Sequence, residues 1–344
     1  MLRVLILAVA VLCPPLAAVA QEVPRVAPRP LASAFDAMRA GRWDVAARLA
    51  LRDGPAAAAL IEWYRLRAGR GTPREIMDFL DSHGHWPGLP LLRRESEEAM
   101  THAGFDDVLD FYQDDAPRTG TGVLNHARAL VARGQVGAAE AGVVLAWRSM
   151  DLTEADHAAF LDAHGGLLAP HHAARLDMAL WRGLRDVALM LPLVPEVARE
   201  RAEIRQRIED GRGEVDDLLR ALPPDARSAP GIAHAVFNRH IAEGESDRAI
   251  EVILRQSRIA GGLGRAERWS GWRRALARAE MRRGNAETAY ELAAFHQLSA
   301  GARFADLEWL AGYVALRYLD APGLALDHFQ RLRSAVQTPI SLGR

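Results

Sequence analysis

The side chains that could carry chemistry are 12 histidines, several acidic pairs and 8 tryptophans, with a single cysteine. His83 and His85 are two apart, His171 and His172 are adjacent, and His157 and His164 are seven apart. None gives the His-Glu-x-x-His spacing that sets two imidazoles on one helical face beside a general base. No structural metal is therefore expected. Glycoside cleavage would need two carboxylates across a cleft, or one acid desolvated so that it holds its proton. Asp106/Asp107 and Asp114/Asp115 lie in short polar segments and read as solvated. Glu95-Ser96 and Glu245-Ser246 are Glu-Ser pairs in charged or turn contexts, where a surface residue is the ordinary reading. No Gly-x-Ser-x-Gly elbow is present, and the Gly261–Gly264 run lacks the Lys-Ser/Thr of a phosphate loop. The tryptophans (Trp43, Trp63, Trp86, Trp147, Trp181, Trp269, Trp272 and Trp309) could stack sugar rings, but on helices most are expected in the core. Trp86, in a turn dense in Gly and Pro, is the best binding candidate, against the reading that it plugs the gap between two helices. No residue is assigned a catalytic, cofactor-binding or metal role.

The elements that would position these groups read as helices throughout the 344 residues, with no segment reading as a strand. A recurring turn organises them. Gly is followed at the fifth position by Ala in Gly41–Ala46, Gly134–Ala139, Gly183–Ala188, Gly244–Ala249 and Gly284–Ala289, and Asp320–Ala325 has the same form. Glycine supplies the left-handed conformation past a helix end. An acidic residue at the third position (Asp44, Asp186, Asp247, Glu287) falls in the next helix's first turn, where it favours the free N–H groups. Alanine lets the second helix approach the first. Paired helices of this kind cannot bury their stripes alone, so neighbours must stack. The expected fold is all-α, a right-handed superhelix of stacked helical hairpins, a tetratricopeptide-like α-solenoid.

Along the chain, Leu31–Arg39 with Trp43–Leu51 forms a first pair, and Ala56–Arg67 a further helix. Thr72-Pro73-Arg74-Glu75 is a helix start with Thr at the cap and Pro at the first position. After the His83–Pro90 turn, Leu91–Ala103 reads as one helix with Arg93, Arg94, Glu95, Glu97 and Glu98 on its exposed face. Thr119–Gly122 reads as connector, Val123–Arg133 with Gln135–Arg148 as a pair, and Glu154–Ala163 as a helix. Residues 221–230, rich in proline, mark the clearest internal break within a domain spanning 31–344. The last two units place Trp309, Gly312/Tyr313, Leu316 and Leu319 on one face, and Leu326, Phe329, Leu332/Arg333 and Val336 on another.

Residues 1–20 read as a signal peptide: Arg3, the apolar run Val4–Leu12, and Ala18-Val19-Ala20 ahead of cleavage after Ala20. Residues 21–30 read as a flexible lead-in. Cleavage would remove Cys13, the only cysteine, so no disulfide is expected. No later segment has the apolar length of a transmembrane helix. With 43 basic and 44 acidic residues spread evenly, no basic stripe for nucleic acid appears. Every basic residue is arginine; nucleotide composition explains that more simply than a preference for guanidinium forks.

Five stretches resemble the long N-terminal helical region of soluble lytic murein transglycosylases. They are His85-Trp86-Pro87-Gly88-Leu89-Pro90-Leu91-Leu92-Arg93-Arg94, Ala174–Trp181, and Glu308–Arg317 with Ala325-Leu326-Asp327-His328-Phe329 and Thr338-Pro339-Ile340-Ser341. The likeness runs over about residues 31–344. It implies a periplasmic superhelix that carries a lysozyme-like domain cleaving the MurNAc–GlcNAc bond to a 1,6-anhydro end, without metal or diffusible cofactor. In that family one glutamate, in a Glu-Ser pair ahead of Gly-Leu-Met-Gln, is general acid and then base. This sequence contains no Gly-Leu-Met-Gln, so neither Glu95 nor Glu245 inherits that role, and the chain stops at Arg344 where the family continues. The resemblance thus points to a scaffold, inactive by itself, whose partners are peptidoglycan glycan strands or a murein enzyme. The competing class is an exported tetratricopeptide-like adaptor with no murein role.

Overall fold

A computed structural model describes residues 29–184 and 186–337. The expected signal peptide, all but the end of the lead-in, Cys13 and the Thr338–Ser341 signature lie outside the described residues. Among the described residues the chain is helical with no strand, and no helix is long and apolar enough to cross a membrane. The chain divides into two compact units, one ending at Ser96 and one beginning at Glu97.

The first unit holds α1 (Pro30–Arg39), α2 (Trp43–Ala50), α3 (Pro55–Arg67), α4 (Pro73–His83) and α5 (Leu89–Ser96). Ala34, Ala37, Ala46, Ala50 and Ile61 are buried where the first three helices meet, and small side chains let these helices pack closely. The predicted start of α4 is a reciprocal capping box: Glu75 N donates to Thr72 Oγ1, and Thr72 N donates to Glu75 Oε2 at 2.8 Å.

The second unit holds α6 (Phe105–Tyr112), α7 (Gly120–Ala132), α8 (Val136–Ser149), α9 (Glu154–Leu168), α10 (His172–Arg182), α11 (Val187–Met190) and α12 (Glu196–Glu209). It continues with α13 (Val215–Arg220), α14 (Pro224–Arg227), α15 (Pro230–Ala242), α16 (Ser246–Ser257), α17 (Ala266–Arg283), α18 (Ala286–Ala294), α19 (Gly301–Arg317) and α20 (Pro322–Ala335). Helix α9 kinks at His164, one residue past the expected end at Ala163, and continues to Leu168. From α15 onward each hairpin packs on the next: α15 on α16, α17 on α18, α19 on α20, with α16, α18 and α19 bridging successive pairs. The proline-rich stretch 221–230 is not bare linker, because Leu222 and Ala226 enter the same core as Phe237, Trp269 and Leu292.

The predicted turn is physically uniform. Gly41, Gly134, Gly183, Gly244 and Gly284 all have φ between 67° and 86°. In each, the following residue returns its N–H to the carbonyl five positions back: Arg42 to Ala37, Gln135 to Leu130, Leu184 to Ala179, Glu245 to His240 and Asn285 to Glu280, at 2.8–3.0 Å. This Schellman closure satisfies carbonyls the helix leaves free. Gly69 and Gly211 close α3 and α12 the same way, although no alanine follows at the fifth position. Ala46, Ala139, Ala249, Ala289 and Ala325 are all buried.

The Gly183 turn departs from this pattern. Its Ala188 is exposed, α11 is only one turn long, and Val187 and Met190 are buried instead. Asp186, expected to face the free N–H groups, is buried in an ion pair with Arg175.

Three element readings need correction. The expected Leu91–Ala103 helix is broken: α5 ends at Ser96, and a short 3-10 turn covers Ala99–His102. Thr119–Gly122 is no connector, since Thr119 caps α7 through its hydroxyl to Gly122 N at 3.0 Å. The stripes of the last hairpin are also displaced in part. The buried face of α19 runs through Leu307, Glu308, Ala311, Val314 and Ala315, and that of α20 through Ala325, His328 and Leu332. Gly312 and Leu332 are buried as those faces predict, but Leu316 and Leu326 on the same faces are 46% and 56% exposed. A count of apolar side chains misplaces part of both faces because the core here contains a glutamate and a histidine.

Candidate functional site

The polar residues buried in α19 and α20 form one network. Glu308 Oε2 lies 2.6 Å from His328 Nδ1, Glu308 Oε1 lies 3.2 Å from His296 Nε2, and Arg331 Nε donates to both oxygens at 3.0 and 3.1 Å. His328 Nε2 meets the Tyr290 hydroxyl at 3.1 Å. Burial alone would raise the Glu308 carboxyl, but hydrogen bonds from His296, His328 and Arg331 outweigh it and hold the group far below the ordinary carboxylate range. A carboxylate so firmly ionised is a poor general acid at neutral pH. Its role is to tie α18, α19 and α20 together. Glu308 and His328 both lie in the stretches that carry the family resemblance, and nothing in their local spacing marks either as buried.

Glu97 is a second buried carboxylate, 1% exposed, and corrects the expectation that it lies on a solvated face. It accepts from Arg118 N and Thr119 N, each at 2.7 Å, and from Thr119 Oγ1 at 2.5 Å. These N–H groups precede α7, so Glu97 anchors that helix's start. Desolvation pushes its carboxyl up despite the three donors. Gly122 is required beside it: a Cβ there would run into Glu97 Oε2 and meet the Tyr112 hydroxyl at 2.7 Å.

The histidine pairs divide into packing roles. His83 stacks on Phe79 and sits 5.1 Å from the Trp86 ring, while His85 points to solvent. His157 and His172 both lie against Trp147, at 4.9 and 5.6 Å, and burial lowers the basicity of each. Trp86 is half-buried among Trp63, Phe79 and His83, which is the plugging arrangement. Gly88 sits at φ 72°, and a Cβ there would lie 3.3 Å from the Trp63 ring, which explains why that turn needs glycine. Trp147, Trp181 and Trp269 are core, and only Trp272 of the eight is largely exposed.

The acidic candidates are engaged at the surface. Asp106 pairs with Arg133, Asp115 with Arg118, and Glu95 with Arg94. His240, Glu243 and Glu245 bring three ligand-type groups within 4.8 Å of one another. Their bonds, however, run among themselves and to arginines: His240 Nδ1 to Glu245 at 2.7 Å, Arg239 to Glu243 at 2.6 Å, and Arg248 to Glu245 at 3.3 Å. The cluster clasps the Gly244 turn. The Gly261–Gly264 run is a packing turn as well, with Gly264 seated against Pro230 and Trp181.

One cavity in the second unit combines an apolar wall with charged groups. It measures about 260 Å³ and lies among α10, α12 and the start of α15. Leu176, Leu180, Trp181, Ala202 and Ile232 line it, together with Asp177, Arg201 and Arg205. Arg205 lies on the Trp181 ring at 4.7 Å, and its Nε donates to Glu209 at 3.0 Å. Behind Trp181 stand His234 and Trp269. Burial, then the charges of Arg205 and Arg268, bring His234 down to about 4, so this aromatic stack is neutral at pH 7. No sequence signal marks the cavity, because its charged groups sit one on α10 and two on α12, with glycines from two further segments.

Comparison with protein-family models, curated proteins and solved structures returned no match to this chain.

Proposed function

We propose that this chain is a non-catalytic, peptidoglycan-associated scaffold of the lytic murein transglycosylase type, exported to the periplasm, whose helical hairpins stack into a right-handed superhelix. The observation that carries the reading is the last hairpin. Two of the stretches resembling that family, Glu308–Arg317 and Ala325–Phe329, form its two arms and meet through the buried Glu308–His328 contact. The Schellman-closed turns and the nearest-neighbour packing of α15 to α20 support a stacked architecture. Glycan strands or a murein enzyme would lie along such a surface. The competing reading, an exported tetratricopeptide-like adaptor, draws on the same turns but has no use for the family-like stretches.

Co-sedimentation of the purified protein with murein sacculi, run beside zymography on the same murein, separates these readings. Retention on sacculi without clearing is expected. Absence of retention favours the adaptor, and clearing by this chain alone overturns the non-catalytic reading. Small-angle scattering tests the superhelix, because a compact chain of this length has a radius of gyration of about 20 Å and a solenoid exceeds it.

A further inference from the structure

We infer that the cavity between α10, α12 and α15 is a binding site for a small carboxylate with an apolar body, held by Arg205 and Arg201. The inference stands apart from the murein reading. Arg205 is 3% exposed, and with Nε given to Glu209 its Nη1 is buried without a hydrogen-bond acceptor. The nearest carboxylate oxygen, on Asp177, is 3.7 Å away, beyond hydrogen-bond length, and that side chain is 60% exposed. A buried guanidinium N–H without an acceptor is costly, and a ligand oxygen at that position removes the cost.

The surroundings favour an anion of limited size. Arg201, one helical turn before Arg205, lines the same cavity and makes no ion pair among the described residues. Two guanidiniums spaced i, i+4 on α12 can share one carboxylate, each through charge-assisted hydrogen bonds. The remaining wall of leucine, isoleucine, alanine and the Trp181 edge accepts an aliphatic group. Gly231 lets the Arg205 guanidinium pack where it does, since a Cβ there would stand 2.5 Å from Nη1 and displace it. A volume of about 260 Å³ suits a ligand of amino-acid size and excludes a polymer segment of several residues.

The test uses calorimetric titration and thermal unfolding of the full chain with N-acetyl-leucine as the carboxylate probe and N-acetyl-leucinamide as its neutral counterpart. Saturable binding and a raised unfolding midpoint with the acid, and none with the amide, are expected. Arg201→Gln, on an exposed side chain, should weaken binding about tenfold, because a charge-assisted hydrogen bond is lost. Gly231→Ala should abolish binding while leaving both charges in place. Should Gly231→Ala prove unfolded, Arg201→Gln decides alone. Equal binding of acid and amide, full affinity in Arg201→Gln, or no saturable binding of the acid each overturns the assignment.

Discussion

Glu308 and His234 set opposite ends of the acid limb of stability. The folded-state value of Glu308 lies below its unfolded value, so its contribution is present above the ordinary carboxylate range and fades as pH falls below it. His234 is also depressed, to about 4, so the unfolded chain takes up its proton first and stability falls from the ordinary histidine range down to that value. Urea unfolding across pH should therefore show a loss beginning near pH 6.5, worth about 3 kcal/mol by pH 4, which His234→Phe flattens. Glu97 has the opposite sign, since desolvation raises it and its stabilisation belongs to the protonated form, lost as pH rises through the raised value. Glu308→Gln leaves His296, His328 and Arg331 facing an amide. It should cost about 3 kcal/mol in equilibrium unfolding at pH 7, the range for breaking a buried ionic network; a loss under about 1 kcal/mol would mean the network is not a structural tie.

At the scale of elements, glycines that look alike in sequence separate by what surrounds them. Gly122→Ala on α7 collides with Glu97 and Tyr112, both buried, and should destabilise by about 1–3 kcal/mol. Gly142→Ala on α8 meets open space in a right-handed helix and should stabilise by about 0.5–1 kcal/mol. Gly284→Ala also meets open space but sits at φ 86°, so its cost of about 1–2 kcal/mol is conformational alone. Thermal unfolding of these three variants distinguishes crowding, entropy and backbone strain. The hairpin crossings give a further test. Ala249→Leu and Ala289→Leu insert three carbons where the helices touch, and each should destabilise by at least about 1–3 kcal/mol, whereas the exposed Ala188→Leu should be nearly neutral.

For the whole molecule, the second unit's architecture from α15 to α20 is a chain of neighbour contacts, and such arrays distribute stability as local terms plus interfaces. Hydrogen exchange should then show protection that differs between hairpins rather than a single global value. Uniform protection from α15 through α20 would argue for one cooperative core. The three polar ties of the second unit, Glu97 at the start of α7, Arg175–Asp186 between α10 and α11, and Glu308 between α18 and α20, mark where amide protection should be highest.

Most helix ends are written in local sequence. Gly at φ > 0, Thr72 with Glu75, and Pro at first-turn positions act through backbone chemistry within a few residues, so they can be read without knowing any neighbour. Which polar residues go inside depends on contacts between distant segments. Glu97, Glu308 and His328 are ordinary charged residues until a partner 20 or so positions away meets them, and periodicity counts them as surface. That is why the buried faces of α19 and α20 match the apolar stripes only in part. The Arg205 cavity was invisible for the same reason: burial and an unmet hydrogen bond are properties of the space between helices, and no local spacing encodes them.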